Sequence, residues 1–278
     1  MSGRRARRSE PAPGARPRSR ARWAAAVLVG LLSLAGCLPG MRRPRPLLPA
    51  TAAGLLEELS ARRTAVQSLR ARARLRAGLK GMWVREAFLV RRPTSVRIDV
   101  LSPFGLALAV GTDGTLLWAY PAGEGTRYEG AATPANLARF LGAPASVPDV
   151  VDILLGTAPR RTPAGPPALR ATPDGEYELT VPLADGSQRL RFTGDPLRLV
   201  GADETHRDGA ALHVAFADFR DGFPRLLEIA AADRNARASV VYEAAEPNAA
   251  VDAALFAPPP AGRVVPLEAA VTRPKRGE

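Results

Sequence analysis

The strongest constraint on how this 278-residue chain folds is a series of turn signals that recurs about once per strand and turn. The segments between the signals alternate apolar and polar residues, as strands with one buried face do. Such spacing predicts consecutive antiparallel hairpins, and a sheet of that many strands has to curl or close. The chain should therefore be mainly β, built on a long curved antiparallel meander. The signals are Asp113-Gly114, Asp174-Gly175, Asp185-Gly186, Gly194-Asp195-Pro196, Asp208-Gly209, Asp221-Gly222 and Asp233–Asn235.

The first strand of this series is unusual because its polar positions are all arginine. After a short helical pattern over residues 55–66, the apolar residues Leu69, Ala71, Ala73 and Leu75 alternate with Arg70, Arg72, Arg74 and Arg76. A row of arginines could form a phosphate-binding face, but it is more typical of the solvated side of a half-buried strand. We interpret it as the solvated side.

The segment from Thr133 to Thr157 interrupts the alternation and predicts two short helices. Thr133-Pro134 is typical of a helix start, and Gly142 of its end. Pro148 opens a second, strongly apolar helix that stops at Gly156. Short apolar helices inside a β protein usually cover one face or mouth of the sheet. Whether they cover a filled core or a cavity stays open at this stage.

The N-terminus has the layout of a secretory signal. An arginine-rich run is followed by the apolar stretch Trp23–Leu34 and then by Leu34-Ala35-Gly36-Cys37, which matches the lipobox of bacterial lipoproteins. Cys37 is the only cysteine, so it can form no internal disulfide. We therefore predict a cleaved signal peptide over residues 1–36, lipid attachment at Cys37, and a stiff Pro/Arg-rich tether over residues 37–50. An uncleaved membrane anchor is the alternative.

The sequence gives little support for nucleic-acid binding or for catalysis. The net charge of +12 is concentrated in the N-terminal segment, so it is weak evidence for a nucleic-acid partner. His206 and His213 do not have the spacing of a zinc-binding helix pair, and no nucleophile elbow, P-loop or dinucleotide fingerprint occurs. We expect a non-catalytic protein without metal or cofactor, apart from the lipid on Cys37.

Several segments resemble LolB, the outer-membrane lipoprotein receptor of the LolA/LolB lipoprotein-sorting superfamily. They are the lipobox, Ser102-Pro103-Phe104-Gly105 between two strands, Arg127-Tyr128-Glu129-Gly130, and the helical segment Asn136–Gly156 with Phe140-Leu141-Gly142-Ala143-Pro144 and Ile153-Leu154-Leu155-Gly156. The stretch from Glu246-Pro247-Asn248 to Phe256, ending at Pro260-Ala261-Gly262, is more similar to periplasmic LolA-type carriers. The resemblance covers residues 51–260 and leaves residues 261–278 as an expected flexible tail.

The resemblance implies an incomplete β-barrel with a short helical lid over an apolar cavity for acyl chains. The candidate cavity residues are Val96, Ile98, Val100, Leu106, Leu108 and Val110 from strands, and Leu137, Leu141, Ile153 and Leu154 from the lid. In LolB a loop of the form Asn-Pro-Leu-Gly presents a leucine to the membrane. The matching loop here, Pro103, Phe104 and Gly105, places Phe104 at that position.

The implied function is transfer of lipoproteins at the outer membrane. A monomer anchored there, facing the periplasm, would accept the acyl chains of client lipoproteins from a LolA-type carrier and insert the clients into the membrane. Leu38 follows Cys37 where an aspartate commonly retains lipoproteins in the inner membrane. The alternative is a lipid-binding or structural envelope lipoprotein of the same fold that transfers no lipoproteins.

Replacing the single cysteine tests the anchor directly. We expect Cys37→Ala to abolish acylation, because the thiol that would receive the diacylglycerol is gone. Mass spectrometry of the protein from membrane and soluble fractions measures the change. Acylated Cys37→Ala protein would contradict the assignment of Cys37 as the attachment site.

Overall fold

A computed structural model describes residues 50–78, 81–231 and 236–268, all of which belong to one compact unit. The signal peptide, Cys37 and nearly all of the tether lie outside the described residues. The hydrophobic core of the described residues extends from Leu55 to Leu267. A segment with its own core is expected to fold without the residues before it.

Two runs of strands flank a helical segment. The first run comprises β1 (Ser68–Ala77), β2 (Val84–Arg91), β3 (Ser95–Ser102), β4 (Gly105–Thr112), β5 (Leu116–Pro121) and β6 (Thr126–Ala131). The second comprises β7 (Ala168–Ala171), β8 (Glu176–Leu183), β9 (Gly186–Gly194), β10 (Leu197–His206), β11 (Ala211–Arg220), β12 (Phe223–Ala231) and β13 (Ala236–Pro247). A 3-10 helix (Ala253–Phe256) and β14 (Arg263–Pro266) follow.

These strands form one open curved sheet in the order β14-β6-β5-β4-β3-β2-β1-β13-β12-β11-β10-β9-β8-β7. Each run is a meander, and β1 pairs with β13 to join the two. All pairings are antiparallel except that of β14 with β6. Six of the seven turn signals lie between consecutive strands, and the seventh falls at the gap after residue 231. The predicted fold class, a curved antiparallel sheet that does not close into a barrel, is confirmed.

In the part of the chain that the structure describes, three α-helices accompany the sheet: α1 (Ala52–Ala65), α2 (Pro134–Leu141) and α3 (Val147–Leu154). Each begins at a hydroxyl cap, in which the side chain of Thr51, Thr133 or Ser146 accepts a backbone N–H of the first turn. The helical segment that interrupts the strands is thus as the sequence predicts. Within the described ranges, no helix is long and apolar enough to cross a membrane.

The arginine row of β1 faces away from the core. Leu69, Ala71 and Ala73 are buried, whereas Arg70, Arg72 and Arg74 are exposed. Arg74 forms an ion pair with Glu243 on the neighbouring β13 at 2.9 Å. The alternation therefore marks one buried and one solvated face, as we interpreted it.

A buried ion-pair cluster holds the helices to the sheet. The carboxylate of Asp152 in α3 accepts hydrogen bonds from Arg63 at the end of α1, with Nη2 to Oδ2 at 3.1 Å, and from Arg92 in the β2–β3 turn. It also accepts the backbone N–H of Arg160 at 3.2 Å. Since Asp152 and its three partners come from four places in the chain, the cluster sets the position of α3 over β2 and β3.

The C-terminal segment differs from the expected flexible tail in its described part. Residues 263–266 pair with β6 as β14, Leu267 is buried, and Glu268 accepts a hydrogen bond from Asn136 Nδ2 at 3.1 Å. The unpaired edge of β6 explains this, because an open edge offers backbone donors and acceptors to any nearby extended segment. β14 covers that edge.

Removing the Asp152 charge tests the cluster. We expect Asp152→Asn to lower the free energy of unfolding by roughly 3–5 kcal/mol, because two partly buried arginines lose their charged partner. Chemical denaturation measures the change. The matched control is Asp218→Asn, whose ion pair with Arg220 is solvent-exposed and should contribute less than about 1 kcal/mol. Equal effects of both variants would show that the cluster does not stabilise the fold.

Candidate binding cavity

An open apolar cavity lies between strands β1–β5 and the helices α2 and α3. Its open space is about 820 Å³, a volume that includes the solvent at its mouth. Its wall is almost wholly aliphatic. The exceptions among the strand residues are Glu86, Gly111 and Thr112. The lining residues are Leu75, Glu86, Val96, Ile98, Val100, Leu108, Val110, Gly111, Thr112, Leu117, Leu137, Phe140, Leu141, Val147 and Val150.

Seven of the ten predicted cavity residues line this space. Strand pairing explains why the five from β3 and β4 meet, because Val100 lies opposite Leu108, Ile98 opposite Val110, and Val96 opposite Thr112. Alternation then turns all of them to the same concave face. The seven are Val96, Ile98, Val100, Leu108, Val110, Leu137 and Leu141.

Leu106 does not line the cavity. The pairing of β3 with β4 shifts between Val100 and Leu101, so Leu106 lies opposite Leu101 and Ala107 is the extra residue of a bulge. A bulge moves the residues beyond it to the other face of the sheet. Leu106 is accordingly 38% exposed, beside the exposed Leu101. Simple alternation from Val110 back to Leu106 could not reveal this shift.

Ile153 and Leu154 are also absent from the cavity wall. Both are buried in the hydrophobic core, at 6% and 5% exposure. The cavity reaches only the first half of α3, where Val147 and Val150 line it. Beyond that point the helix packs on the filled part of the core, and the carbonyl of Leu154 accepts a hydrogen bond from the Tyr242 hydroxyl at 3.0 Å.

Glu86 is the one acidic residue in the cavity wall, and sequence reasoning missed it. It is only 7% exposed, and its Oε2 atom has no hydrogen-bond partner in the described structure. Burial raises the pKa of the Glu86 carboxyl to about 7. Strand alternation could have revealed it, because Glu86 falls on the same face of β2 as the apolar residues Phe88 and Val90. A charged residue on such a face is uncommon.

The loop between β3 and β4 presents Phe104 to solvent. The Phe104 side chain is 100% exposed. The Ser102 hydroxyl holds the turn, since it accepts the Phe104 N–H at 3.2 Å and donates to the Gly105 carbonyl at 3.0 Å. Gly105 has a φ of 112°, which a residue with a side chain rarely adopts. The short, tight turn therefore leaves Phe104 no route back into the core.

Further exposed apolar residues lie at the same end of the sheet as Phe104. Met82 and Trp83 precede β2, whose Arg85 pairs with Leu101 near the end of β3, and they are 85% and 41% exposed. Two arginines of β1 contact the Trp83 ring, Arg74 at 5.6 Å and Arg76 at 4.9 Å from its centre. We call Met82, Trp83, Phe104, Arg74 and Arg76 the tip surface. Sequence reasoning assigned Phe104 to membrane contact and considered the arginine row, with Arg74 and Arg76, as a possible phosphate-binding face, but it missed Met82 and Trp83.

The similarity of this chain to known proteins is a similarity of fold. No protein-family model matches the chain, and no curated protein matches it. The structure is similar to that of a LolA superfamily protein from Nitrosomonas europaea, at 14% identity and a TM-score of 0.47, covering 76% of this chain and 99% of the other. It is also similar to a domain from Vibrio parahaemolyticus named for outer membrane lipoprotein sorting, at 11% identity and a TM-score of 0.49, covering 74% and 97%. Likeness of this degree does not identify site residues or their chemistry.

The burial of Glu86 makes a prediction about stability and pH. A carboxyl whose pKa rises to about 7 on folding stabilises the fold most at low pH, and that stabilisation is lost as the pH rises from about 4.5 to 7. Glu86→Gln removes this dependence. Relative to the wild type, the variant should gain up to about 3 kcal/mol in free energy of unfolding between pH 4.5 and pH 8.

Denaturation of both proteins across this pH range measures the difference. The exposed Glu228→Gln on β12 is the control and should keep the wild-type profile. If Glu86→Gln keeps it too, Glu86 is not held in an apolar environment.

Proposed function

We propose that this protein is an outer-membrane-anchored lipoprotein that accepts the acyl chains of client lipoproteins from a periplasmic carrier and releases the clients into the membrane. The observation that carries the proposal is the open, aliphatic cavity beneath α2 and α3. A filled core would have argued for a structural role. The sequence adds the lipobox ending at Cys37 and the LolB-like segments.

The cavity suits an acyl chain because almost nothing in its wall competes for hydrogen bonds. Each methylene that leaves water for such a wall gains about 0.8 kcal/mol. A client's chains would therefore bind without any chemical step. Transfer needs no energy source if each successive site holds the chains better than the one before.

The end of α2 marks the route into the cavity. Phe140 and Leu141 line the cavity and are still about two-fifths exposed, at 39% and 42%. Helix α2 ends there, at Gly142. Chains that enter beside these two residues stay in contact with apolar surface along the way, so the passage through water is short.

The tip surface suits a reversible contact with the membrane. Burying the Phe104 side chain in lipid gains roughly 1.5–3 kcal/mol, and Met82 and Trp83 can add to it. Tryptophan favours the headgroup region, and the charges of Arg74 and Arg76 attract anionic lipids. The lipid on Cys37 would hold the protein at the membrane throughout, while the tip surface engages during delivery.

A lipid-binding role without transfer is the second candidate. The cavity would take a phospholipid chain as readily as a lipoprotein chain, because the aliphatic wall recognises only apolar area. The two functions differ in the partner that delivers the ligand. Only lipoprotein transfer requires a LolA-type carrier loaded with an acylated client.

Native mass spectrometry of residues 38–278, mixed with a carrier that holds an acylated client, distinguishes these roles. We expect the client to move onto this protein. Bound phospholipid without client transfer would favour the second candidate. A cavity that takes up neither would contradict both.

Phe104→Glu tests the tip surface. The substitution should leave acceptance of the client unchanged, because Phe104 does not line the cavity. Delivery from this protein to anionic vesicles should fall about tenfold or more, since a carboxylate at the tip opposes insertion and is repelled by the lipid. A client with a fluorescent label measures both steps.

The matched control is Leu255→Glu, which changes an exposed leucine of the 3-10 helix, next to Arg97 and away from the β3–β4 loop. Delivery by this variant should match the wild type. Unchanged delivery by Phe104→Glu would remove the loop from the mechanism.

A further inference from the structure

We infer that the cavity selects acyl chains that carry a hydrogen-bond donor at their polar end, such as amide-linked chains, and that the Glu86 carboxylate accepts that hydrogen bond. The inference rests on the proposed function, because it names the chemistry of the ligand that the same cavity takes. It explains why Glu86, an acidic residue, lies in a cavity wall that is otherwise almost wholly aliphatic.

The position of Glu86 suits the binding of a ligand and does not help to stabilise the fold. It lines the cavity, is 93% removed from solvent, and leaves Oε2 without a hydrogen-bond partner. A buried polar atom without a partner destabilises a protein, so such atoms are uncommon unless another molecule supplies the missing bond. A leucine at this position would complete the wall at no such cost.

Among the residues that the structure describes, no charged neighbour accounts for Glu86. On the same face, the flanking strands present Ala73 and Leu75 from β1 and Val100 from β3. Across the cavity, the acidic residues of α3 are engaged elsewhere, Asp149 with Arg161 and Asp152 with Arg63 and Arg92. The cause of the raised pKa of Glu86 is burial alone. Since no described residue donates to Oε2, a ligand in the cavity can supply the missing donor.

The position of Glu86 fits the polar end of a chain. Glu86 lies on the same rung as Val100 and Leu108, about 7 Å along β3 from the base of the Phe104 loop. The opposite end of the lining, at Val96, Thr112 and Leu117, lies roughly 13 Å farther along the strands. A chain with its polar end at Glu86 thus extends its methylenes along the aliphatic wall, and its head stays near the tip surface.

The charge state of Glu86 decides which linkage it recognises. An ionised carboxylate only accepts hydrogen bonds, so it binds an amide N–H and gains nothing from an ester, which has no donor. A protonated carboxyl donates to the carbonyl oxygen of either linkage. Since burial raises the pKa of Glu86 to about 7, preference for the amide should grow from mildly acidic to mildly alkaline pH.

A pair of ligands that differ by one atom group tests this preference. N-methylhexadecanamide and methyl hexadecanoate have the same chain, and N–H in the first replaces O in the second. Displacement of a fluorescent fatty acid from residues 38–278 measures both affinities. Near pH 8.5 the amide should bind about tenfold more tightly, and near pH 5.5 the difference should shrink to within about threefold.

Two variants assign the preference to Glu86. Glu86→Leu should bind both ligands with similar affinity at either pH, because the acceptor is gone. Glu86→Gln keeps an acceptor without a titratable charge, so its preference should no longer depend on pH. The control Glu243→Leu changes an exposed glutamate on β13 and should bind like the wild type.

The outcomes separate this inference from the proposed function. If the wild type binds both ligands equally at both pH values, the inference is overturned while the acyl-binding cavity stands. If Glu86→Leu keeps the preference, the donor is recognised elsewhere and the inference is again overturned. If neither ligand displaces the probe, the cavity is not an acyl site and the proposed function fails as well.

Discussion

The pairing of β1 with β13 is the contact on which the rest of the structure depends. It joins two separate meanders, in register from Leu69 opposite Pro247 to Ala77 opposite Ala238, with one irregularity at Arg72 and Ala73. Without it, each meander would expose its apolar face. Once joined, the two halves curve around a single core, and the helical segment between them has one concave surface to cover. Such a contact between distant residues forms only after a large loop closes, which makes it costly in entropy.

The two halves of the concave surface are filled differently. The second meander supplies Tyr177, Phe192, Phe216 and Phe223, which belong to the same hydrophobic core as Ile153 and Leu154 at the end of α3. In the first meander, the strand positions beneath α2 are mainly valine and leucine. These smaller side chains leave space beneath the lid. The contrast between aromatic and aliphatic residues therefore places the cavity in the half of the sheet that the first meander forms. The Asp152 cluster fixes the position of α3 above the sheet.

The cavity combines features that work against stability. Its aliphatic wall forgoes packing contacts, the buried Glu86 Oε2 has no hydrogen-bond partner among the described residues, and Phe104 and Met82 are exposed at the tip. Each of these lowers the free energy of unfolding or favours association. Glu86, the strand part of the cavity wall and the exposed tip residues all belong to the first meander. This concentration supports a ligand path through that half of the protein, while the second meander supplies the packed core.

The sequence by itself determined the local elements: the strands and their turns, the capped helices, the solvated arginine face of β1, and seven of the fifteen residues in the cavity wall. These follow from alternation, turn chemistry and capping, which act over a few residues. Tertiary structure alone decided the rest. A bulge turned Leu106 outward, the filled core took up Ile153 and Leu154, the open edge of β6 recruited β14, and strand register brought Glu86 into the wall. Each of these depends on which distant residues lie opposite, and local patterns carry no information about such partners.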